Sequence, residues 1–268
     1  MTALYNAEDL EKQVTNSDTQ DNHTYHHEDV ARVITSGDNN EYIHLGSTKV
    51  LKSQLVEAFG GTLNPGYAAP SVHKFANPAP LGLSAFALTT FVLSLINVQA
   101  RSVTHPNIVT GLAFFYGGLV QLLAGMWEIS IENTFGGTAL SSYGGFWLAW
   151  AAIQIPWFGI KDAYTDPEEL RNAVSFFLLG WTLFTFILVL CTLKSTVAFF
   201  SLFFFLDLTF ILLTAGDFTG NVKITKAGGV FGIITAFIAW YNAFAGLATK
   251  QNSYFTVGAI PLPGSKKI

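Results

Sequence analysis

"FANPAPLGLSAF", residues 75–86, sets two prolines around one alanine at the point where polar sequence gives way to a long apolar run. Asn77 has a side chain suited to an N-cap, and Pro78 suits the first helical turn because its missing N–H would be unpaired there in any case. The double proline marks a helix start. A helix N-terminus at a membrane entrance also presents unpaired N–H groups and a positive dipole end to an arriving anion, such as a small carboxylate. The residues Asn77, Pro78, Ala79 and Pro80 therefore carry two readings, one purely structural and one functional.

Downstream of this motif, six apolar runs follow at 81–98, 107–127, 138–158, 173–193, 195–215 and 227–248. About 20 such residues cross roughly 30 Å of hydrocarbon. The expected fold is all-α, a polytopic membrane protein with six transmembrane helices. Composition agrees: 50% of the 268 residues are hydrophobic and 12% are charged, against about 25% charged in soluble domains. An even number of spans puts both termini on one side. Lys49, Lys52, Lys74, Lys194, Lys250, Lys266 and Lys267 share that side, against Arg101, Lys161, Arg171, Lys223 and Lys226 opposite. The excess predicts cytosolic N- and C-termini. No basic segment with an early apolar stretch opens the sequence, so a cleaved signal peptide is not expected.

Upstream, the first 75 residues hold 10 of the 18 acidic side chains and five of the six histidines. Residues 1–74 read as a largely disordered N-terminal cytosolic tail, with no helical or strand period in 1–40. A short amphipathic segment is expected near 42–63, where Val50, Leu51, Leu55, Val56 and Phe59 fall near helical spacing. Residues 75–250 form the expected transmembrane domain and 251–268 a cytosolic C-terminal tail. The cluster His23, His26 and His27 reads as solvated tail before it reads as a metal site. The lone Cys191 excludes an internal disulfide and a thiolate metal centre. No metal or other cofactor is expected. A net charge of −4 and the lack of a basic patch with interleaved aromatics argue against nucleic acid.

Polar residues inside the runs are the candidates for chemistry. Asp207 lies in "FFFLDLTF", where a carboxylate costs about 3 kcal/mol on insertion scales and usually faces a cavity or a partner. It reads as a proton-coupling group or as an interhelical hydrogen-bond acceptor. Gln121, Gln154, Asn97 and Asn242 read mainly as links between helices. Glu128 and Glu132 are one helical turn apart past the second run and form either an acidic vestibule or ion pairs with Lys74 or Lys194. Asp166-Pro167 followed by Glu168 and Glu169 is a helix start. No nucleophile elbow, phosphate loop or metal-ligand spacing is present, so no enzyme is expected. A conduit for a small solute fits better.

The blocks "NPAPLGL" (77–83), "FYGG" (115–118), "NTFG" (133–136), "SYGGFW" (142–147) and "TLK" (192–194) together resemble the acetate uptake transporter family. That family includes bacterial succinate and acetate permeases and fungal acetate transporters also linked to ammonium export. The upstream "EAFGGTLNPG" and the long acidic tail resemble the fungal branch. The resemblance implies a multi-pass plasma-membrane protein, a homo-oligomer in the form of a hexameric ring, and a separate substrate path in each protomer. It implies a constriction of a Phe, a Tyr and a Leu from the first, third and fifth spans, here Phe86, Tyr143 and Leu206. Spans one, three and five run in the same direction, so one layer of the bilayer can receive a side chain from each. Bacterial members carry Thr at the position of Asp207, and this departure marks Asp207 as the proton-coupling candidate. The implied substrate is acetate or another small monocarboxylate, moved with protons. Asn77 is the first candidate for substrate recognition and Glu132 a second, at the cytosolic mouth. A passive acetate anion channel and an ammonia or ammonium exporter remain as alternatives.

Overall fold

The computed structural model describes residues 34–45, 47–58 and 75–264. The chain divides into two compact units, residues 1–74 and 75–268. In the first, β1 (Ile34–Ser36), β2 (Tyr42–Leu45) and β3 (Thr48–Leu51) form an antiparallel sheet in the order β1-β2-β3. The pairs Ser36↔Tyr42 and Leu45↔Thr48 set its register. Only α1 (Lys52–Ala58) is helical in this unit among the described residues.

The all-α expectation is therefore corrected, as is the absence of strand period over 34–36 and the helical reading over 42–51, while Lys52–Ala58 is helical as read and 59–63 lies outside the described residues. β-Branched and aromatic residues supply six of the eleven strand positions, and the connection between β1 and β2 places Gly37 and Asn40 at φ values of 98° and 55°. Both residue types tolerate the left-handed region and favour tight turns. Val50 and Leu51 fall in β3, so their spacing to Leu55 and Val56 crosses an element boundary. His23, His26, His27, Phe59 and the C-terminal lysines 266 and 267 lie outside the described residues.

The second unit is helical: α2 (Ala79–Asn97), α3 (Asn107–Ser130), α4 (Thr134–Gln154), α5 (Pro167–Cys191), α6 (Val197–Thr219) and α7 (Val222–Leu247). All but α4 are long and apolar enough to cross a membrane. α4 has the length, 21 residues or about 31 Å, but Gly136, Gly137, Gly144 and Gly145 dilute its hydropathy. The helix starts follow local chemistry. Asn133, Asp166, Thr196 and Asn221 each accept a hydrogen bond from a backbone N–H in the first turn of α4, α5, α6 and α7.

α2 packs along α7, α7 along α6, and α6 along α5, while α3 lies against α4 and α2. Glycines allow the closest of these approaches. A Cβ on Gly144 would lie 2.7 Å from the Leu122 backbone nitrogen, and one on Gly117 would run into the Thr89 side chain. Residues Leu112–Val120 of α3 widen into a π-helix, a geometry usually limited to a single turn. After α7 the chain returns across the start of α6. There Val197 N–H donates to the Ile260 carbonyl at 2.8 Å and Leu262 N–H to the Ser195 carbonyl at 2.9 Å.

Gly144 and Gly145 separate packing from propensity, because a Cβ on Gly145 meets nothing within 4 Å. Overpacking costs about 1–3 kcal/mol, so Gly144→Val is expected to lower the thermal midpoint in detergent by about 2–12 °C. Gly145→Val is expected to leave it nearly unchanged in the same melting experiment.

Candidate functional site

Phe86 of α2, Tyr143 of α4 and Leu206 of α6 meet in the helical core, with 5%, 3% and 4% of their surface exposed. The Phe86 and Tyr143 ring centroids are 5.8 Å apart. Tyr143 also packs against Phe184 and Trp181 of α5 and lies nearly parallel to Phe210 of α6. Thr185 of α5 donates its hydroxyl to the Trp181 carbonyl at 2.7 Å, which leaves its oxygen to accept from the Tyr143 hydroxyl at 2.9 Å. The phenol hydroxyl therefore points back into the protein, and the ring presents carbon to Phe86. Sequence reasoning missed Thr185. A hydroxyl in an apolar run was the only signal for it.

Phe86 and Leu206 line a cavity of about 30 Å³ together with Thr90, Phe146, Thr209 and Phe210. That space suits a water molecule, and acetate is larger. The cavity adjoins a vestibule of about 300 Å³ whose walls it shares at Leu93, Asn97, Phe146 and Leu213. Gln99, Gln154, Asp217 and Thr225 add polar lining. The vestibule lies where α2 and α6 end and α7 begins, at the end of the bundle opposite the double proline.

At that other end, the Asn77 carboxamide oxygen accepts from Ala79 N–H at 3.0 Å, and the Pro78 carbonyl accepts from Leu81 and Gly82. Pro78 is therefore the N-cap, one residue later than the sequence reading, and Asn77 engages the first helical N–H from the position before it. The anion reading needs free N–H groups here, and the geometry removes them. Pro78 and Pro80 have none, Ala79 donates to Asn77 and Leu81 donates to Pro78. What remains for a ligand is the Asn77 side-chain amide. Pro80 is buried against Gly246 of α7, where a Cβ would lie 2.7 Å from its ring.

Asp207 is 7% exposed, next to Leu206, and its Oδ1 has no hydrogen-bond partner among the described residues. Glu132 sits exposed in the turn between α3 and α4 with φ of 67°. Glu128 behaves differently from its neighbour. It is 1% exposed and accepts from the Asn133 amide at 2.6 Å, while its second oxygen is unpartnered among the described residues. Gln121, two turns earlier on α3, is fully buried with both amide atoms unpartnered among the described residues. Asn242 does link helices, donating to the Ala198 carbonyl of α6 at 3.3 Å.

A family model described as the GPR1/FUN34/yaaH family matches residues 59–264. The chain belongs to the GPR1/FUN34/yaaH family. Within it, the chain is 61% identical to ammonia transport outward protein 2 of Saccharomyces cerevisiae over 94% of this chain and 90% of that protein. It is 56% identical to acetate permease A of Emericella nidulans over 80% of this chain and 76% of that one. Among solved structures, the bacterial acetate channel SatP superposes with a TM-score of 0.62 at 36% identity, covering 69% of this chain and all of SatP. The GPR1/FUN34/yaaH assignment accords with the early resemblance and with a mostly helical membrane fold.

The Tyr143 hydroxyl and ring make separable contributions. Tyr143→Phe removes one hydrogen bond and is expected to cost about 1 kcal/mol, whereas Tyr143→Ala opens the aromatic cluster and costs about 3–5 kcal/mol. Thermal melts of the two purified variants check the difference.

Proposed function

We propose that this protein carries acetate and related short-chain monocarboxylates across the plasma membrane. One observation carries the reading: Phe86 and Leu206 line a narrow apolar cavity that shares walls with a polar-lined vestibule, and Tyr143 packs against Phe86 in the same core. Similarity to a fungal protein named acetate permease and to a bacterial acetate channel supports it. A ring of this kind strips water from a small solute and sets a size limit. Acetate passes when the side chains part, and a hexose does not.

In the proposed arrangement all six helices α2–α7 span the bilayer, both termini are cytosolic, and six protomers assemble with one path in each. Asn77 offers its amide to the carboxylate at the mouth shaped by Pro78, Ala79 and Pro80. Glu132 lies near the same mouth. Asp207 takes up a proton with each substrate, which makes the protein a symporter rather than a passive channel. Its place beside Leu206, with one buried oxygen unpartnered among the described residues, supports that role. Ammonium export is the second reading, supported by the relative named for outward ammonia transport.

Labelled acetate uptake into proteoliposomes, with and without an inward proton gradient, tests this directly. Accumulation above equilibrium is expected in the wild type and lost in Asp207→Asn. Equilibration that ignores the gradient would make the protein a channel, and absence of acetate flux would leave ammonium export. Replacing Asn77 separates the two solutes. Asn77→Ala is expected to lower acetate flux about tenfold or more, as for loss of a hydrogen bond to a charged group, while methylammonium flux stays close to wild type.

A further inference from the structure

A second cavity system lies outside the vestibule and the constriction, between α6 and α7 at the end of the bundle that carries the double proline. Its upper chamber, about 420 Å³, is roofed by the returning C-terminal segment and lined by Thr196, Asn242, Gly246 and Ala259. Its lower chamber, about 380 Å³, is lined by Ser201, Phe205, Phe237 and Ile238. Ala198 and Tyr241 belong to both walls, so the two form one groove. Small residues on the facing helices open it, and Phe205, Phe237 and Tyr241 flank it. From Gly246 down to Phe237 is nine residues of helix, about 14 Å, close to the depth of one leaflet of hydrocarbon, roughly 15 Å.

The two segments that form the polar end carry charge of one sign. Lys194 immediately precedes Ser195, which pairs with the returning segment, and Lys250 follows the end of α7. Residues 190–200 and 241–268 contain no aspartate or glutamate, in a chain whose net charge is −4. We propose that this groove binds one anionic phospholipid. The acyl chain fills the apolar lower chamber, the glycerol region lies beneath the C-terminal segment beside Thr196 and Asn242, and Lys194 and Lys250 hold the headgroup phosphate. The proposal rests on α6 and α7 lying in the bilayer and is independent of which solute the protein carries.

The test uses delipidated full-length protein in detergent, titrated with dioctanoyl-phosphatidylserine or dioctanoyl-phosphatidylcholine and followed by native mass spectrometry. Phosphatidylserine is expected to bind about tenfold or more tightly than phosphatidylcholine, given the attraction of two lysines near the membrane surface. The Lys194→Ala/Lys250→Ala double variant should lose that preference and keep its thermal midpoint. Ser201→Phe, which fills the lower chamber, should weaken both lipids. Equal binding of the two lipids by the wild type, or unchanged binding in both variants, would overturn the proposal. So would an interchain disulfide from Ser201→Cys in a Cys191→Ser background, which would assign the groove to a second copy.

Discussion

A hydroxyl enclosed by aromatic rings needs a partner, and for Tyr143 that partner is Thr185. The bond ties α4 to α5 and sets the tilt of the phenol ring from behind. The opposite edge of that ring then faces Phe86, while Phe210 stacks beside it and Leu206 closes the same core. The rest of the arrangement depends on this anchorage. If the ring turned, Phe86 and Phe210, which both line the 30 Å³ cavity, would lose a ring neighbour. In the proposed constriction, Phe86 and Leu206 offer only carbon, and Tyr143 does the same because its one polar atom is engaged by Thr185.

Much of the helical unit was legible in the sequence. The apolar runs gave the six long helices to within a few residues at most ends; Asp166 caps its helix as read, and the double proline marks a start whose cap is Pro78 rather than Asn77. The strands at 34–51 were missed because period-3.6 spacing over five residues is a weak signal, while the Gly37 and Asn40 turn chemistry was passed over. For the site, motif resemblance brought together Phe86, Tyr143 and Leu206, which lie far apart in sequence. It could not supply Thr185, since a threonine bonded to its own helix and one bonded across to a neighbour look alike in sequence. The backbone-donor form of the anion reading is weakened for a related reason: a proline that starts a helix also removes a donor that an anion would use, which leaves only the Asn77 side-chain amide.

The similarity to one protein named for acetate and another named for ammonia is less contradictory than it first looks. An apolar ring selects by size and by the cost of losing water, and it is indifferent to the sign of the charge that a solute sheds or keeps. Sign must be read elsewhere. The buried polar groups Gln121, Glu128 and Asp207, each with an atom unpartnered among the described residues, lie on α3 and α6. Burial of such groups is costly in hydrocarbon, so their presence in a bundle this apolar points to a use beyond holding helices together.

The widened turn in α3 has a consequence for how this chain can vary in length. A π turn closes its hydrogen bond one residue later than an α turn, so residues after Val120 are out of phase, by about 100°, with where a straight α-helix would put them. Gln121, Gly125 and Glu128 face α4 and the core only because of that offset. Loss of a single residue between 112 and 120 would let the backbone relax into an unbroken α-helix with every hydrogen bond made. It would also rotate the buried carboxyl and amide toward lipid. The segment therefore acts as a phase lock, where the better local helix is the worse protein.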